Sequence, residues 1–259
     1  MRSIPSPDSD AFRAYRSRVL QPDLVDELAA TLAMPVPVVS ARVSMAMAEA
    51  AQTLRVVDGA TIPDDGRVLE VGAGLGLTSA FLSLSGFDVT ALEPSGSGFE
   101  EHEQFAPVLR KMLGSEHHTL DVGAEFLTPA ANGSFALIFS NNVIEHVDDV
   151  GAVIAALAEV LDPSGVMIHS CPNYSVPFEP HFGIPLVPIR PALTARLLPG
   201  SVRDSGLWKS LNFVRARDLD RIASENNLGI TFRRGLLAVS LDRLANDAEF
   251  RSRHALLGR

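Results

Sequence analysis

The sequence predicts an α/β fold, a doubly wound and mostly parallel sheet, and three observations carry that prediction. Short apolar runs alternate with longer helical patterns between Arg67 and Pro172, and strands alternating with helices pair in parallel through right-handed crossovers. The first run leads into Glu70-Val71-Gly72-Ala73-Gly74-Leu75-Gly76, a glycine-rich turn that opens a helix. The second run ends at an acid, Glu93. A helical extension before the sheet and a lid-like insertion after the fifth strand complete the expected architecture.

Residues 1–62 read as an N-terminal helical cap. Ala11–Leu20 and Asp23–Leu32 space apolar residues three and four apart. Pro35 and Pro37 break that pattern, and Ser40–Val57 resumes it with Val43, Met47, Ala50, Ala51 and Leu54 on one face. Pro63-Asp64-Asp65-Gly66 is a turn, after which residues 63–259 form the expected main domain. Its strands are predicted at Val68–Val71, Asp88–Leu92, His117–Leu120, Phe135–Ser140 and Val166–Ser170. Helices are predicted at Leu75–Ser85, Phe99–Leu113 and Val150–Leu161, with a tight turn at Asp162-Pro163-Ser164-Gly165. Residues 173–215 begin with a stretch rich in proline and aromatics and are expected to form the lid. Arg217–Asn226 is helical by pattern, Gly229–Arg233 reads as a last strand, and Ser240–Leu257 as a closing helix.

Composition narrows the function. The chain has 259 residues, 46% hydrophobic and 20% charged, which is enough to bury a sizeable core. Its formal charge is −9 with no Lys/Arg run to offset it, so phosphate backbones are repelled and no nucleic-acid partner is expected. Arg190, Arg196 and Arg203 read as solvated surface charge. The lone Cys171 rules out an intramolecular disulfide and a cysteine metal cluster, and its apolar setting reads as packing. The first residues lack a secretory pattern, and no apolar run approaches about eighteen residues, so a cytoplasmic protein without a membrane span is expected.

A glycine turn at a strand end lets the chain bend sharply and approach a ligand where a Cβ would intrude, beside the unpaired N–H groups of a helix start. Such a turn suits a dinucleotide pyrophosphate or a methionine carboxylate, and it also occurs without a ligand. In the dinucleotide fingerprint the third glycine comes later: here Leu77 occupies its place and the third glycine is Gly76, one residue earlier. That spacing fits the S-adenosylmethionine variant better. Glu93, at the end of the next strand, can accept from both ribose hydroxyls, a logic shared with nicotinamide sites. Asp121, after the third strand, can accept from the exocyclic amine of adenine, with the Val122 N–H offered to a ring nitrogen; a turn-capping role before Gly123 is the alternative.

Phe135-Ala136-Leu137-Ile138-Phe139-Ser140-Asn141-Asn142-Val143-Ile144-Glu145-His146-Val147, taken with Val68–Gly76, Glu93, Asp121 and Leu161-Asp162-Pro163-Ser164-Gly165, resembles the class I S-adenosylmethionine-dependent methyltransferase family. The likeness covers about Arg67 to Asn173. Within that family the Asn142-to-Val147 stretch and Cys171-Pro172-Asn173 are most similar to the branch that methylates small molecules, quinone-type O-methyltransferases included. The resemblance implies the Rossmann-like fold of that family, with S-adenosylmethionine as donor and S-adenosylhomocysteine as product. It implies methionine near Glu70, Gly72, Ala73, Gly74 and Gly76, ribose on Glu93 beside Pro94, and adenine near Asp121 and Val122. Ser140, Asn141 and Asn142 would meet the methionine amine and the reacting centre. Some quinone-methylating members carry an acid four residues before the histidine and use it for a divalent ion; here that place is Asn142, so Asn142, Glu145 and His146 offer only a weak site and no required metal is expected.

The expected acceptor is a small molecule. If it is a hydroxyl it must lose a proton, and His146, whose unperturbed pKa lies near neutrality, is the first candidate base. His181 is the second. It lies in Asn173-Tyr174-Ser175-Val176-Pro177-Phe178-Glu179-Pro180-His181-Phe182, which follows the fifth strand on the side where open α/β sheets bind ligands. Glu145, Asn173, Tyr174, Phe178, Glu179, Phe182 and Trp208 are the expected acceptor contacts, with packing as the competing role for each. His102, His117, His118, His169 and His254 read as structural or exposed. A nicotinamide oxidoreductase and a non-catalytic methyltransferase-like binding module are the competing functions. The glycine spacing and the lack of a Tyr-x-x-x-Lys pair speak against the first, and the intact glycines and acids against the second.

Overall fold

The computed structural model describes residues 1–95, 100–188 and 190–233 together with Ala245, and the chain divides into two compact units. The first comprises Met1–Ile144 and Asp149–Ser170. Its centre is a five-stranded parallel sheet of β1 (Arg67–Val71), β2 (Asp88–Leu92), β3 (His118–Leu120), β4 (Phe135–Asn141) and β5 (Leu161–Ser170), in the order β3-β2-β1-β4-β5. This is the expected doubly wound α/β architecture. Strand order reverses between β1 and β4, and the carboxyl ends beside such a switch point are where open α/β sheets hold ligands. Val68, Leu69 and Val71 of β1 and Phe135 to Phe139 of β4 are all buried, as expected for central strands covered on both faces.

Three helices precede the sheet and pack with it in one unit: α1 (Asp10–Val19), α2 (Pro22–Leu32) and α3 (Val36–Val56). Ser9 caps α1 by accepting from the Phe12 N–H, and Phe12, Tyr15 and Val19 form its buried stripe. Phe12 meets Phe81 edge-on at 5.0 Å, and the Tyr15 hydroxyl donates to the Leu77 carbonyl at 2.9 Å. Phe81 and Leu77 belong to α4 (Leu77–Leu84), the helix opened by the glycine turn. The break expected at Pro35 falls between α2 and α3, but the helix resumes at Val36 instead of Ser40: Pro35 is the N-cap and Pro37 sits in the first turn, which needs no proline N–H and suits its fixed φ.

The strand–helix units of the sheet are completed by α5 (Glu100–Leu113) and α6 (Val150–Glu159), the latter capped by Asp149 on the Ala152 N–H. The predicted tight turn at 162–165 is corrected: these residues lie inside β5. Both flanks stay paired to β4, with Leu161 opposite Phe135 and Val166 opposite Leu137, so the extra residues are absorbed as a bulge rather than closing a turn.

The second unit comprises Glu145–Asp148 and Cys171–Arg259. Tyr174, Leu186, Trp208 and Leu211 form its buried core, with Phe182 and Phe213 packed against it. Phe178–Glu179 pairs antiparallel with Ile184–Pro185. Helix α7 (Ala216–Glu225) starts with the Asp218 carboxylate on the Arg215 N–H and with Asn173 Oδ1 accepting from the Ala216 N–H. The last strand predicted at Gly229–Arg233 is not formed among the described residues. Ile230 and Phe232 are exposed there, so no buried face draws that segment into a sheet. The helix predicted at Ser240–Leu257 falls, Ala245 apart, outside the described residues. Among the described residues no single helix is long and apolar enough to cross a membrane.

Candidate functional site

In the first unit the candidate donor residues gather at the carboxyl ends of adjacent strands. The turn after β1 is held by the end of β2: the Gly72 and Ala73 N–H groups both donate to the Leu92 carbonyl, at 2.8 and 3.1 Å. Gly72, Gly74 and Gly76 all have positive φ, which glycine adopts without strain. Gly72 is further required by close approach, because a Cβ there would stand 2.3 Å from Val143 Cγ2. A Cβ on Gly74 would meet only His102 Cε1, at 3.8 Å, so that side of the turn is open.

Glu93 is bound to that turn. One carboxylate oxygen accepts from the Gly74 N–H at 2.9 Å, and the other pairs with His102 Nδ1 at 2.9 Å. The side chain keeps 25% of its surface exposed, and Pro94 follows it. His102, read from the sequence as structural or exposed, is thus part of the cluster; its place on the helix after β2 was the available signal. Asp121 is exposed at the end of β3 and accepts from the Ser95 N–H and hydroxyl, both at 2.6 Å. Those two bonds hold its carboxyl below the usual range. Val122 beside it is 38% exposed.

Two candidates have inward-facing roles. Ser140 is fully buried and its hydroxyl meets His169 Nδ1 at 2.8 Å. Burial pushes the His169 imidazole down to about 4. Asn141 ends β4, and Asn142, at φ 56, donates its N–H to the Ser170 carbonyl at 2.8 Å. Glu70 is buried and accepts from the Ser79 hydroxyl at 2.5 Å, which ties the strand end to α4. Burial pushes its carboxyl up to about 7, with bonds from Ser79 and Thr78 countering only part of that. The folded protein therefore keeps a proton that the unfolded chain releases near 4.5, and stability is full below that pH and lost as pH rises through 7. The Glu70→Gln variant is expected to lose about 1–3 kcal/mol less than the parent between pH 4.5 and 8, read by urea denaturation. Parallel pH profiles for the two proteins would contradict the assignment.

In the second unit a polar cluster surrounds Glu145. This residue is fully buried, and neither carboxylate oxygen has a hydrogen-bond partner. Burial pushes its carboxyl up to about 7. His181 Nε2 lies 3.6 Å and His146 Nε2 3.9 Å from Glu145 Oε1. The other nitrogen of each ring is anchored: His181 Nδ1 to Glu179 Oε1 at 2.6 Å, His146 Nδ1 to Ser210 Oγ at 2.8 Å. Burial would raise the Glu179 carboxyl, but bonds from His181 and Tyr174 outweigh it and hold it low. Burial also drives His146 down to about 4.

Asn212 braces the same turn, its N–H donating to the Glu145 carbonyl and its Nδ2 to the Val147 carbonyl, both at 2.9 Å. The next residue, Phe213, is held at φ 55, a conformation costly for a bulky side chain. Ser210, Asn212 and Phe213 carry no local sequence signal of this role. The other expected acceptor contacts are engaged with the protein itself. Tyr174 donates to Glu179, Asn173 caps α7, Trp208 lies 5.9 Å from Phe182 and 5.7 Å from Phe213 in the buried core, and Phe178 belongs to the short strand pair.

Residues 45–231 match the methyltransferase domain family. An uncharacterized protein of Mycobacterium tuberculosis is 34% identical over 206 residues, covering 76% of this chain and 69% of its own length. A ubiquinone biosynthesis O-methyltransferase of Rhodopseudomonas palustris is 26% identical over 171 residues, 66% of this chain and 61% of that protein. Among solved structures, YcgJ of Bacillus subtilis is similar at 18% identity and a TM-score of 0.48, covering 75% of this chain and 77% of its own.

Proposed function

We propose, for a chain that belongs to the class I S-adenosylmethionine-dependent methyltransferase family, that it methylates a hydroxyl of a small-molecule acceptor. S-adenosylmethionine is the family's donor, and when bound it supplies a methyl group on a positively charged sulfur, so that alignment more than activation is asked of the protein. In this reading the Glu93 carboxylate receives the ribose hydroxyls, Asp121 and the Val122 N–H receive adenine, and the turn from Gly72 to Gly76 leaves room for the methionine portion. The open side of Gly74 and the strand-end position of Glu93 support that assignment.

The observation that carries O-methylation is the Glu179–His181 pair. An ionised Glu179 accepts the His181 Nδ1 proton, which fixes the tautomer and leaves the Nε2 lone pair to take a proton from a hydroxyl. The 26% likeness to a ubiquinone biosynthesis O-methyltransferase agrees with an oxygen acceptor. Calorimetric titration with S-adenosylhomocysteine, with NAD as control ligand, tests the donor half; binding of NAD alone would point to an oxidoreductase. For the acceptor half, a panel of phenols and catechols is offered and S-adenosylhomocysteine release measured. His181→Ala is expected to lower kcat by about 10²-fold or more, and His146→Ala to lower it less, both with donor affinity kept. Full turnover in both variants would remove the base assignment.

A further inference from the structure

We infer, resting on the donor assignment above, that His102 is a positioning residue of the donor site: its imidazole aims the Glu93 carboxylate at the ribose, and the charge on that imidazole sets how firmly the donor is held.

A carboxylate offers about four lone-pair sites. On Glu93 the protein takes one from each oxygen: the Gly74 N–H donates to Oε2, and His102 Nδ1 meets Oε1, each at 2.9 Å. Partners on opposite oxygens fix the rotation of the carboxylate plane. They leave one lone pair on each oxygen, the number that a vicinal pair of ribose hydroxyls needs. A side chain held in this way gives up little rotational freedom when the ribose arrives. His102 stands in the first turn of α5, with 30% of its side-chain surface exposed. Its Cε1 is the atom that a Cβ on Gly74 would meet, at 3.8 Å. The ring therefore borders the open side of the glycine turn instead of filling the core.

A neutral imidazole donates Nδ1–H to Glu93 and leaves the negative charge to the hydroxyls. An imidazolium pairs with Glu93 as a charge-assisted bond and draws on that same charge. Proton uptake by His102 therefore opposes donor binding, and by linkage donor binding opposes proton uptake. The groups around the ring let this be read separately. Glu70, two residues before the turn, titrates near 7 because burial raises its carboxyl. His117 Nε2 would lie 3.5 Å from a Cβ on Gly76, and burial, with Arg110, holds that imidazole down at about 4. Asp121 is held low by Ser95. Helix α4, packed against α5, carries no titratable residue. Asp23 and Glu27 of α2 share a surface recess with Met112, at the far end of α5, where Arg110 and Lys111 also lie. On α5 itself Glu103 is the adjacent acid and is exposed.

The test is calorimetric titration of the full chain with S-adenosylhomocysteine at about pH 8 and about pH 5.5, on either side of the ordinary imidazole range. The proteins compared are the parent, His102→Asn and His102→Ala. Asparagine places a neutral N–H where Nδ1 stands and takes up no proton in this range. At the higher pH His102→Asn is expected to bind within about twofold of the parent, and His102→Ala about fivefold more weakly. From the higher to the lower pH the parent is expected to lose about fivefold more affinity than His102→Asn, since Glu70 titrates alike in both. His118→Gln, at an exposed histidine of β3, should follow the parent. A parent profile parallel to that of His102→Asn, or His102→Ala binding as tightly as the parent at the higher pH, overturns the role of His102 and leaves the donor site standing. No binding by the parent at both pH values removes the donor assignment itself and the role of His102 with it.

Discussion

Replacing Glu93 by alanine is expected to weaken S-adenosylhomocysteine binding at least tenfold, a loss of about 1.4 kcal/mol. The substitution removes two things together. It takes away the acceptor proposed for the ribose hydroxyls, and charge-assisted bonds of that kind contribute about 1.5–3 kcal/mol. It also frees the Gly74 N–H, which Glu93 holds at 2.9 Å, and so loosens the turn that would carry the methionine portion. His102 loses its carboxylate partner in the same step. Calorimetry on the folded variant reads the effect, and Glu93→Gln, which can still accept a bond, should fall between the two. A dissociation constant equal to the parent's would remove Glu93 from the donor site.

Gly72→Ala is expected to destabilise the protein by about 2–5 kcal/mol. Left-handed backbone costs an L-residue about 1–2 kcal/mol, and Gly72 has φ 71. The added Cβ would stand 2.3 Å from Val143 Cγ2, and forcing such an overlap apart costs about 1–3 kcal/mol more. Gly59→Ala is the matched control, because φ there is 76 but nothing lies within 4 Å of the added carbon. Its loss should be the conformational part alone. Urea midpoints that coincide for the two variants would show that the strand end does not need the close approach of Val143.

The contrast between these two glycines shows what could be read from the chain. Positive-φ turn chemistry is a local property, so Gly72, Gly74 and Gly76 were legible, as were the strand–helix alternation and the acids that follow β2 and β3. Hydrophobic period and cap residues placed α1, α2, α4, α6 and α7 to within a few residues. Local reading failed where pairing at a distance overrode it. Asp162-Pro163-Ser164-Gly165 has the composition of a turn, but the strand pairs of β5 with β4 on either side make it a bulge. Gly229–Arg233 has strand-like residues, but no neighbour buries them.

The sequence by itself determined the fold class, the family and the strand-end positions of Glu93 and Asp121, because each depends on short-range patterns whose spacing the chain carries directly. Only the tertiary structure decided that His102 completes the Glu93 cluster, that Ser140 is spent on His169, and that Tyr174 and Trp208 pack inward. It also decided that Glu145, a single acid beside a histidine in the sequence, is a buried carboxylate facing His181 from a remote loop. The physical reason is burial: solvent removal and a distant partner give a carboxylate its protonation and its chemistry, and neither is written in the residues next to it.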